Sequence, residues 1–398
     1  MKVLLLENIH ADAVAAFQAA GIEVLQHAGA MDEAELVAAL PGVHLLGIRS
    51  GTRVTSAVLD AASDLLAVGA FCIGTNQIDL DAAAARGIAA FNAPFSNTRS
   101  VVELAIAEMI ALTRRLTEKS DALHHGVWDK SAKGAHEMRG RTLGIIGYGN
   151  IGSQLSVLAE AIGMGVVYFD ADDKLPMGNA RRVDTLDQLL GQADVVTLHV
   201  DGRIGNAGFF GARQFAAMRR GAVFLNLSRG FVVDTEALAE SIRSGHLAGA
   251  AIDVFPVEPK AQGDTFESSL RGLPNVILTP HVGGSTEEAQ RDIGRFVSGK
   301  LRDYTERGST SLSVNLPSAL LDAGSSSHRL ALLHSNIPGV LATVNRMLSD
   351  HGVNIEGQVL ATRGELGYVI TDVAADTSPD VATALSALPE TIRLRVLR

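Results

Sequence analysis

Residues 142–152 read Thr142-Leu143-Gly144-Ile145-Ile146-Gly147-Tyr148-Gly149-Asn150-Ile151-Gly152. A short apolar run ends in Gly147, Gly149 and Gly152, the G-x-G-x-x-G spacing of a strand–turn–helix that receives a dinucleotide. In this reading Gly147 makes the tight turn, and Gly149 lets the backbone approach a pyrophosphate. Gly152 lets the helix pack close to the strand. Asn150 and Ile151 open that helix, whose free amides and positive dipole end face the phosphates. The chain has 40 glycines, so the motif needs its context.

The run 165–169 reads as the next strand and leads to Asp170, 18 positions after Gly152 (170 minus 152). An acid about 20 residues on is what the motif requires, because it accepts hydrogen bonds from the ribose hydroxyls and repels a 2′-phosphate. Ala171, Asp172 and Asp173 follow with no arginine beside them, which favours NAD over NADP. Further strands read at 194–199, 223–227, 249–252 and 275–279, so six strands in all predict a doubly wound Rossmann sheet.

Upstream, Val3–Leu6, Glu23–Gln26, His44–Ile48, Leu65–Phe71 and Ile88–Asn92 alternate with alanine-rich helical patterns such as Ala11–Ala20 and Asp32–Leu40. That alternation predicts a second parallel sheet and a crevice between two domains. A helix is expected over Ser100–Glu118, with Ser100 as N-cap and Glu103 completing a capping box. Another, over Glu287–Thr305, is expected to return to the first domain. Residues 309–327 are serine-rich and aperiodic, a linker composition. Beyond them strand 329–335, helix Pro338–Asp350, strands 353–362 and 366–374, helix 379–387 and strand 391–397 spell βαββαβ, a small ferredoxin-like fold.

Composition excludes several classes. The formal charge of -10 argues against a nucleic-acid binder. One cysteine, Cys72, rules out an internal disulfide and any multi-cysteine metal site, and no metal site is expected. No run reaches the roughly 18 apolar residues of a membrane span, and the amino-terminal run is too short for a signal peptide, so a cytoplasmic protein is expected.

Four strands of the second series end in polar residues: His199, Arg229, Asp253 and His281. Ligands bind outside the carboxyl ends of strands in open α/β sheets. Singly each has a plain explanation; Glu258 between Val257 and Pro259 reads equally well as a solvated loop carboxylate. Together they are what hydride transfer from a secondary alcohol needs: a histidine base, a carboxylate to orient it and an arginine to hold an acid.

Asn226-Leu227-Ser228-Arg229-Gly230, Asp253-Val254-Phe255-Pro256-Val257-Glu258-Pro259 and Pro280-His281-Val282-Gly283-Gly284-Ser285-Thr286 resemble the signatures of the D-isomer-specific 2-hydroxyacid dehydrogenases. Phe71-Cys72-Ile73-Gly74-Thr75-Asn76-Gln77-Ile78-Asp79 and Phe91-Asn92-Ala93-Pro94-Phe95-Ser96-Asn97-Thr98 extend the likeness over essentially the whole chain. The resemblance implies a flavodoxin-like substrate domain (1–97 with 285–324), an NAD-binding Rossmann domain (98–284) and a regulatory ACT domain (325–398).

Within that family the match implies the branch that oxidises 3-phospho-D-glycerate at C2, at the head of L-serine biosynthesis. Arg229, Glu258 and His281 are then catalytic. Thr98, Gly147, Gly149, Asn150, Ile151, Gly152, Asp170, His199, Ser228, Asp253, His281 and Gly284 hold the cofactor. Arg49, Ser50, Gly74, Thr75, Asn76 and Arg229 hold the substrate, although some relatives carry a second arginine where this chain has Gly51. His334, Asn336 and Asn354 are implied as ligands of an L-serine effector; Asn336 also reads as a simple helix cap beside Pro338. A homodimer or homotetramer is implied. A hydroxypyruvate/glyoxylate or other D-2-hydroxyacid reductase is the alternative enzyme, and an NAD-sensing corepressor or scaffold the alternative outside enzymes.

Overall fold

The computed structural model describes residues 1–259, 263–322, 328–374 and 379–397, the side chains of residues 204 and 379 excepted. The chain divides into two compact units, Met1–Ser96 with Gln290–Arg398, and Asn97–Ala289.

In the first unit β1 (Lys2–Leu6), α1 (Ala11–Ala19), β2 (Glu23–His27), α2 (Glu33–Ala39), β3 (Leu45–Ile48), α3 (Ser56–Ala61), β4 (Ala67–Ala70), α4 (Leu80–Ala85) and β5 (Ala89–Phe91) alternate. The strands are parallel in the order β2-β1-β3-β4-β5, so the topology reverses between β1 and β3. Helices cover both faces, which is why β3, β4 and β5 are buried throughout and read as unbroken apolar runs. Edge strand β2 is largely exposed.

The second unit opens with α5 (Thr98–Arg114) and α6 (Leu116–His124). The expected single helix from Ser100 is corrected here. Asn97 is the N-cap, Ser100 lies inside the first turn, and Glu103 pairs with Arg99 one turn back at 2.6 Å. The helix breaks at Arg115, whose φ is 52°. Leu112 and Thr113 are its last buried residues and α6 buries none, so no apolar stripe carries it further.

Then come β6 (Thr142–Ile146), α7 (Asn150–Ala161), β7 (Gly165–Phe169), β8 (Arg181–Arg182), α8 (Leu186–Gln192), β9 (Val195–Leu198), α9 (Ala212–Ala217), β10 (Val223–Asn226), α10 (Thr235–Arg243), β11 (Gly249–Ile252) and β12 (Val276–Leu278). Their parallel order is β12-β11-β10-β9-β6-β7-β8, seven strands among the described residues rather than six. The extra one, β8, is two exposed arginines at the edge, with no apolar pattern to announce it. This sheet reverses between β6 and β9.

Helix α11 (Glu287–Arg307) enters the first unit from Gln290 onward, as its pattern predicts. Its Ile293, Val297, Leu301 and Tyr304 pack in one core with Val3, Leu5, Phe17 and Phe71. The serine-rich stretch that follows is not a loose linker over 309–322. Thr310 Oγ1 donates to the Pro317 carbonyl at 2.6 Å and accepts from the Ala319 amide at 2.9 Å. Asn315 accepts from the Ala90 amide at 2.8 Å and donates to the Ile88 carbonyl at 2.9 Å, and Leu316 and Ala319 are buried in the core. Local side-chain bonds replace periodicity, so composition hides the order. Residues 323–327, which include Ser325, Ser326 and Ser327, lie outside the described residues.

The C-terminal module is β13 (His328–Ser335), α12 (Val340–Asp350), β14 (Ile355–Arg363), β15 (Leu366–Val373), α13 (Pro379–Ser386) and β16 (Thr391–Leu397). The antiparallel order β14-β15-β13-β16 is ferredoxin-like. Pro338 stands before the helix rather than in its first turn, because Gly339 turns left-handed (φ 95°) at the N-cap. Alternate residues of β13 serve two cores. Leu330 and Leu332 pack with α12 and α13, while Ala331 and Leu333 join Tyr368 and Ile370 in the core of the first unit. The module is therefore part of that unit.

Asn315→Ala would leave a buried amide and a buried carbonyl unpaired, at a cost of about 2 kcal/mol. Its thermal midpoint should fall below that of the unmodified chain; an unchanged melting curve would refute this account of the strap.

Candidate active site

The glycine turn has the geometry its residues require. Gly147 has φ 91°, and a Cβ there would lie 2.6 Å from the His199 carbonyl oxygen. The turn after β6 thus meets the end of β9 at the point where the sheet reverses, the usual ligand position. A Cβ on Gly152 would lie 2.3 Å from the Gly147 carbonyl oxygen, while one on Gly149 would meet nothing within 4 Å. Gly149 is the N-cap of α7, and Asn150 and Ile151 form its first turn.

Asp170 ends β7 and accepts from the Tyr148 amide at 2.7 Å and the Asp172 amide at 2.9 Å, which joins the acid to the glycine turn. His199 is half-buried; desolvation of the ring drives its pKa down to about 4, so it is neutral. Its Nε2 meets Thr197 Oγ1 at 3.0 Å, and its Nδ1 has no partner among the described residues. Buried Thr98 Oγ1 and Asn97 Oδ1 also lack partners, and Asn97 Nδ2 lies 2.3 Å from where a Cβ of Gly284 would stand. Open backbone at a helix start, an acid on the next strand and buried polar atoms awaiting partners fit a bound NAD.

The reactive groups converge at the ends of β10, β11 and β12. His281 Nδ1 lies 2.9 Å from Glu258 Oε2, and the other Glu258 oxygen accepts from the Phe255 amide at 3.1 Å. The Glu258 bond raises the His281 pKa; burial opposes it, the charges of Glu258 and Asp253 add to it, and Arg229 subtracts, leaving a net rise. Burial works to raise Glu258, but the His281 bond and charge, the Phe255 amide and Arg229 outweigh it and hold the carboxyl below its ordinary value. With Nδ1–H committed to the carboxylate, Nε2 is the nitrogen left to exchange a proton. Arg229 donates to the Ser228 carbonyl at 2.7 Å, and Ser228 is fixed through Oγ to Asn226 Oδ1 at 2.8 Å.

Asp253 holds the loop that carries His281. It is buried, and its carboxylate accepts from Thr279 Oγ1 at 2.6 Å and from the Val282 and Gly283 amides at 2.9 Å each. Its carbonyl accepts from the His281 amide at 2.8 Å. These bonds secure His281 at φ 54°, a left-handed conformation that costs a non-glycine residue on the order of 1 kcal/mol. Glu108 of α5 couples to Asp253. Burial and then the Asp253 charge push its carboxyl up to about 8, which leaves it neutral at about pH 7.

In the first unit Arg49 and Ser50 follow β3, and Gly74, Thr75 and Asn76 lie in the turn after β4. The Arg49 guanidinium makes no hydrogen bond or ion pair among the described residues. In the C-terminal module His334 is buried over Gly367, with Nδ1 donating to the Ser335 carbonyl at 2.8 Å. Asn336 and Asn354 are exposed, and Asn336 Nδ2 donates to the Gly364 carbonyl at 3.0 Å. Sequence reasoning missed Glu7, Gln77, Asn97 and Glu108. Glu7 had a usable signal, as an acid directly after a buried parallel strand.

The family model for the NAD binding domain of D-isomer specific 2-hydroxyacid dehydrogenases matches residues 106–283, and that for an AHAS small subunit-like ACT domain matches 330–393. D-3-phosphoglycerate dehydrogenase of Escherichia coli (strain K12) is 48% identical over 402 residues, spanning 100% of this chain and 97% of the relative. The Dictyostelium discoideum protein of the same name is 46% identical over 397 residues, with the same shares. The solved structure of a D-2-hydroxyisocaproate dehydrogenase superposes with a TM-score of 0.70 at 26% identity, covering 79% of this chain and 100% of that one. The chain belongs to the D-isomer specific 2-hydroxyacid dehydrogenases. It is an NAD-dependent oxidoreductase carrying an ACT module.

With His281 as the candidate base, alcohol oxidation would need its neutral form, and kcat/KM should rise with pH through a pKa above the ordinary 6.5. Glu258→Gln removes the group that raises it. The rising limb should move to lower pH and the plateau fall at least about tenfold. A limb that stays in place in the variant would detach Glu258 from His281.

Proposed function

We propose that this chain oxidises 3-phospho-D-glycerate at C2 to 3-phosphohydroxypyruvate, the first step of the phosphorylated route to L-serine. The observation that carries the reading is the Glu258–His281 pair beside Arg229, in a chain matched from end to end by relatives named for that substrate. Arg229 holds the substrate carboxylate and C2 oxygen with the part of its fork not given to Ser228. His281 Nε2 takes the hydroxyl proton, and Glu258 stabilises the imidazolium that results. NAD, held by Thr98, the 147–152 turn, Asp170, His199, Ser228, Asp253 and Gly284, supplies the hydride acceptor when bound. The backbone at Gly74, Thr75 and Asn76 lines the carboxylate site, and Arg49 and Ser50 receive the phosphate.

The ACT module is our proposed site for L-serine, through His334 and Asn336 at the carboxyl end of β13 and Asn354 just before β14; the register puts the two exposed asparagines at opposite ends of the sheet, so one site would draw them from two subunits. A homodimer or homotetramer is part of the same reading; sedimentation of the full chain as a monomer would remove it.

Two measurements test the reading. In the reductive direction kcat/KM should favour 3-phosphohydroxypyruvate over hydroxypyruvate, and Arg49→Ala should cut that preference by at least about tenfold, the loss of a charge-assisted contact. No preference in the unmodified chain would point to a hydroxypyruvate reductase, the reading that Gly51 favours. For regulation, point variants are the right tool, because Ala331, Leu333, Tyr368 and Ile370 help build the core of the first unit. Asn336→Ala should weaken L-serine binding to the full chain about tenfold, as loss of one or two hydrogen bonds does. Unaltered binding in a calorimetric titration would place the effector elsewhere.

A further inference from the structure

At the point where the first sheet reverses, between β1 and β3, the polar residue closing β1 is Glu7. Its backbone is left-handed at φ 62°, and so is that of Asn8 at 53°. Two successive non-glycine residues in that region cost on the order of 2 kcal/mol together and persist only where surrounding contacts hold them. The contacts are on the Glu7 side chain. Oε1 accepts from the Arg49 amide at 3.1 Å and the Thr52 amide at 2.9 Å, and Oε2 accepts from the Gly51 amide at 2.8 Å. Three of the four amides in residues 49–52 thus turn onto one carboxylate. The Ser50 amide, the Ser50 hydroxyl and the Arg49 guanidinium are donors there with no acceptor among the described residues.

A second side chain ties this loop to the next strand end. Gln77, 7% exposed, donates through Nε2 to the Arg49 carbonyl at 2.8 Å and the Gly74 carbonyl at 3.1 Å. The turns holding Arg49–Ser50 and Gly74–Asn76 are therefore fixed to each other through one buried amide. Gly51 fits the same arrangement, since a Cβ there would lie 3.0 Å from Glu7 Oε2 and 3.1 Å from Ala30 Cβ.

We infer that Glu7 is a positioning residue for phosphate recognition. By taking the amides of Arg49, Gly51 and Thr52, it presents the Ser50 amide and the Arg49 guanidinium to an anion. An anion cannot be cradled by the whole loop, as it is in a glycine-rich phosphate loop, because the carboxylate already occupies three of its donors. Discrimination then falls on the Arg49 guanidinium and the amide and hydroxyl of Ser50, and their placement depends on Glu7. The inference rests on the proposed role of Arg49 in binding phosphate.

The test is a cycle on the full chain: unmodified, Glu7→Gln, Arg49→Ala and the double variant, each assayed reductively with 3-phosphohydroxypyruvate and hydroxypyruvate. Glutamine keeps one acceptor oxygen but sets an NH2 against the Gly51 amide. Glu7→Gln should lower the ratio of the two kcat/KM values about tenfold, equivalent to about 1.4 kcal/mol. The loss should come through KM for the phosphorylated compound. In the double variant it should add little to that of Arg49→Ala, because both act through one contact. An equal decline for both substrates, or full additivity in the double variant, overturns the inference. If Arg49→Ala collapses the ratio while Glu7→Gln preserves it, only the inference fails. If Arg49→Ala leaves the ratio intact, the phosphate reading itself fails. Glu7→Ala is the harsher variant, and Glu7→Gln decides the matter should Glu7→Ala not fold.

Discussion

The geometry of the Glu258–His281 pair depends on one buried carboxylate. Asp253 stands at the end of β11 and gathers Thr279, Val282 and Gly283, so the residues on both sides of His281 are anchored to a single point. The loop can hold His281 at a positive φ because these charge-assisted bonds outweigh the local strain. Thereby His281 Nδ1 is delivered to Glu258. The neutral Glu108 belongs to the same arrangement, since a second ionised carboxyl coupled to Asp253 would oppose the charge that these donors satisfy.

The first unit uses the same device. Glu7 at the end of β1 does for residues 49–52 what Asp253 at the end of β11 does for 279–283: an acid closing a parallel strand collects the amides of a neighbouring strand-end loop. Parallel strands all end on the same side, so their last residues leave several loops with unpaired amides close together. A carboxylate with four lone-pair positions is a compact way to satisfy them and to direct the functional side chains between them.

What could be read from the sequence follows from range. The glycine turn and Asp170 are local or nearly so, and φ and Cβ sterics at Gly147 and Gly152 explain the spacing. Buried parallel strands announce themselves as apolar runs, whereas β8, two exposed arginines, carries no such signal. Helix α5 was misread at its start because Ser100 and Glu103 have capping-box spacing, yet burial of Thr98 begins the helix two residues earlier. The 309–322 strap was misread because its order comes from Thr310 and Asn315 bonding to distant backbone, which composition cannot reveal. Glu7 carries a local cue, an acid directly after a buried strand, but its contacts and those of Gln77 span 42 and 28 positions, so what they bind is not legible locally.

Charge balance around His281 explains why one residue can serve as both acid and base. Glu258 and Asp253 raise its pKa, while burial and Arg229 lower it. Without Arg229, Glu258 would leave the His281 pKa higher still, and the imidazolium would return its proton less readily. Arg229 alone would keep the ring neutral and make it a poor acceptor. Because Arg229, the proposed holder of the substrate acid, also tempers the histidine, the rise in the His281 pKa is moderated. Arg229 therefore has two electrostatic tasks. On the proposed role, a substrate carboxylate that neutralises the Arg229 charge would relieve the downward pull on His281, so the base would strengthen when there is a hydroxyl proton to take.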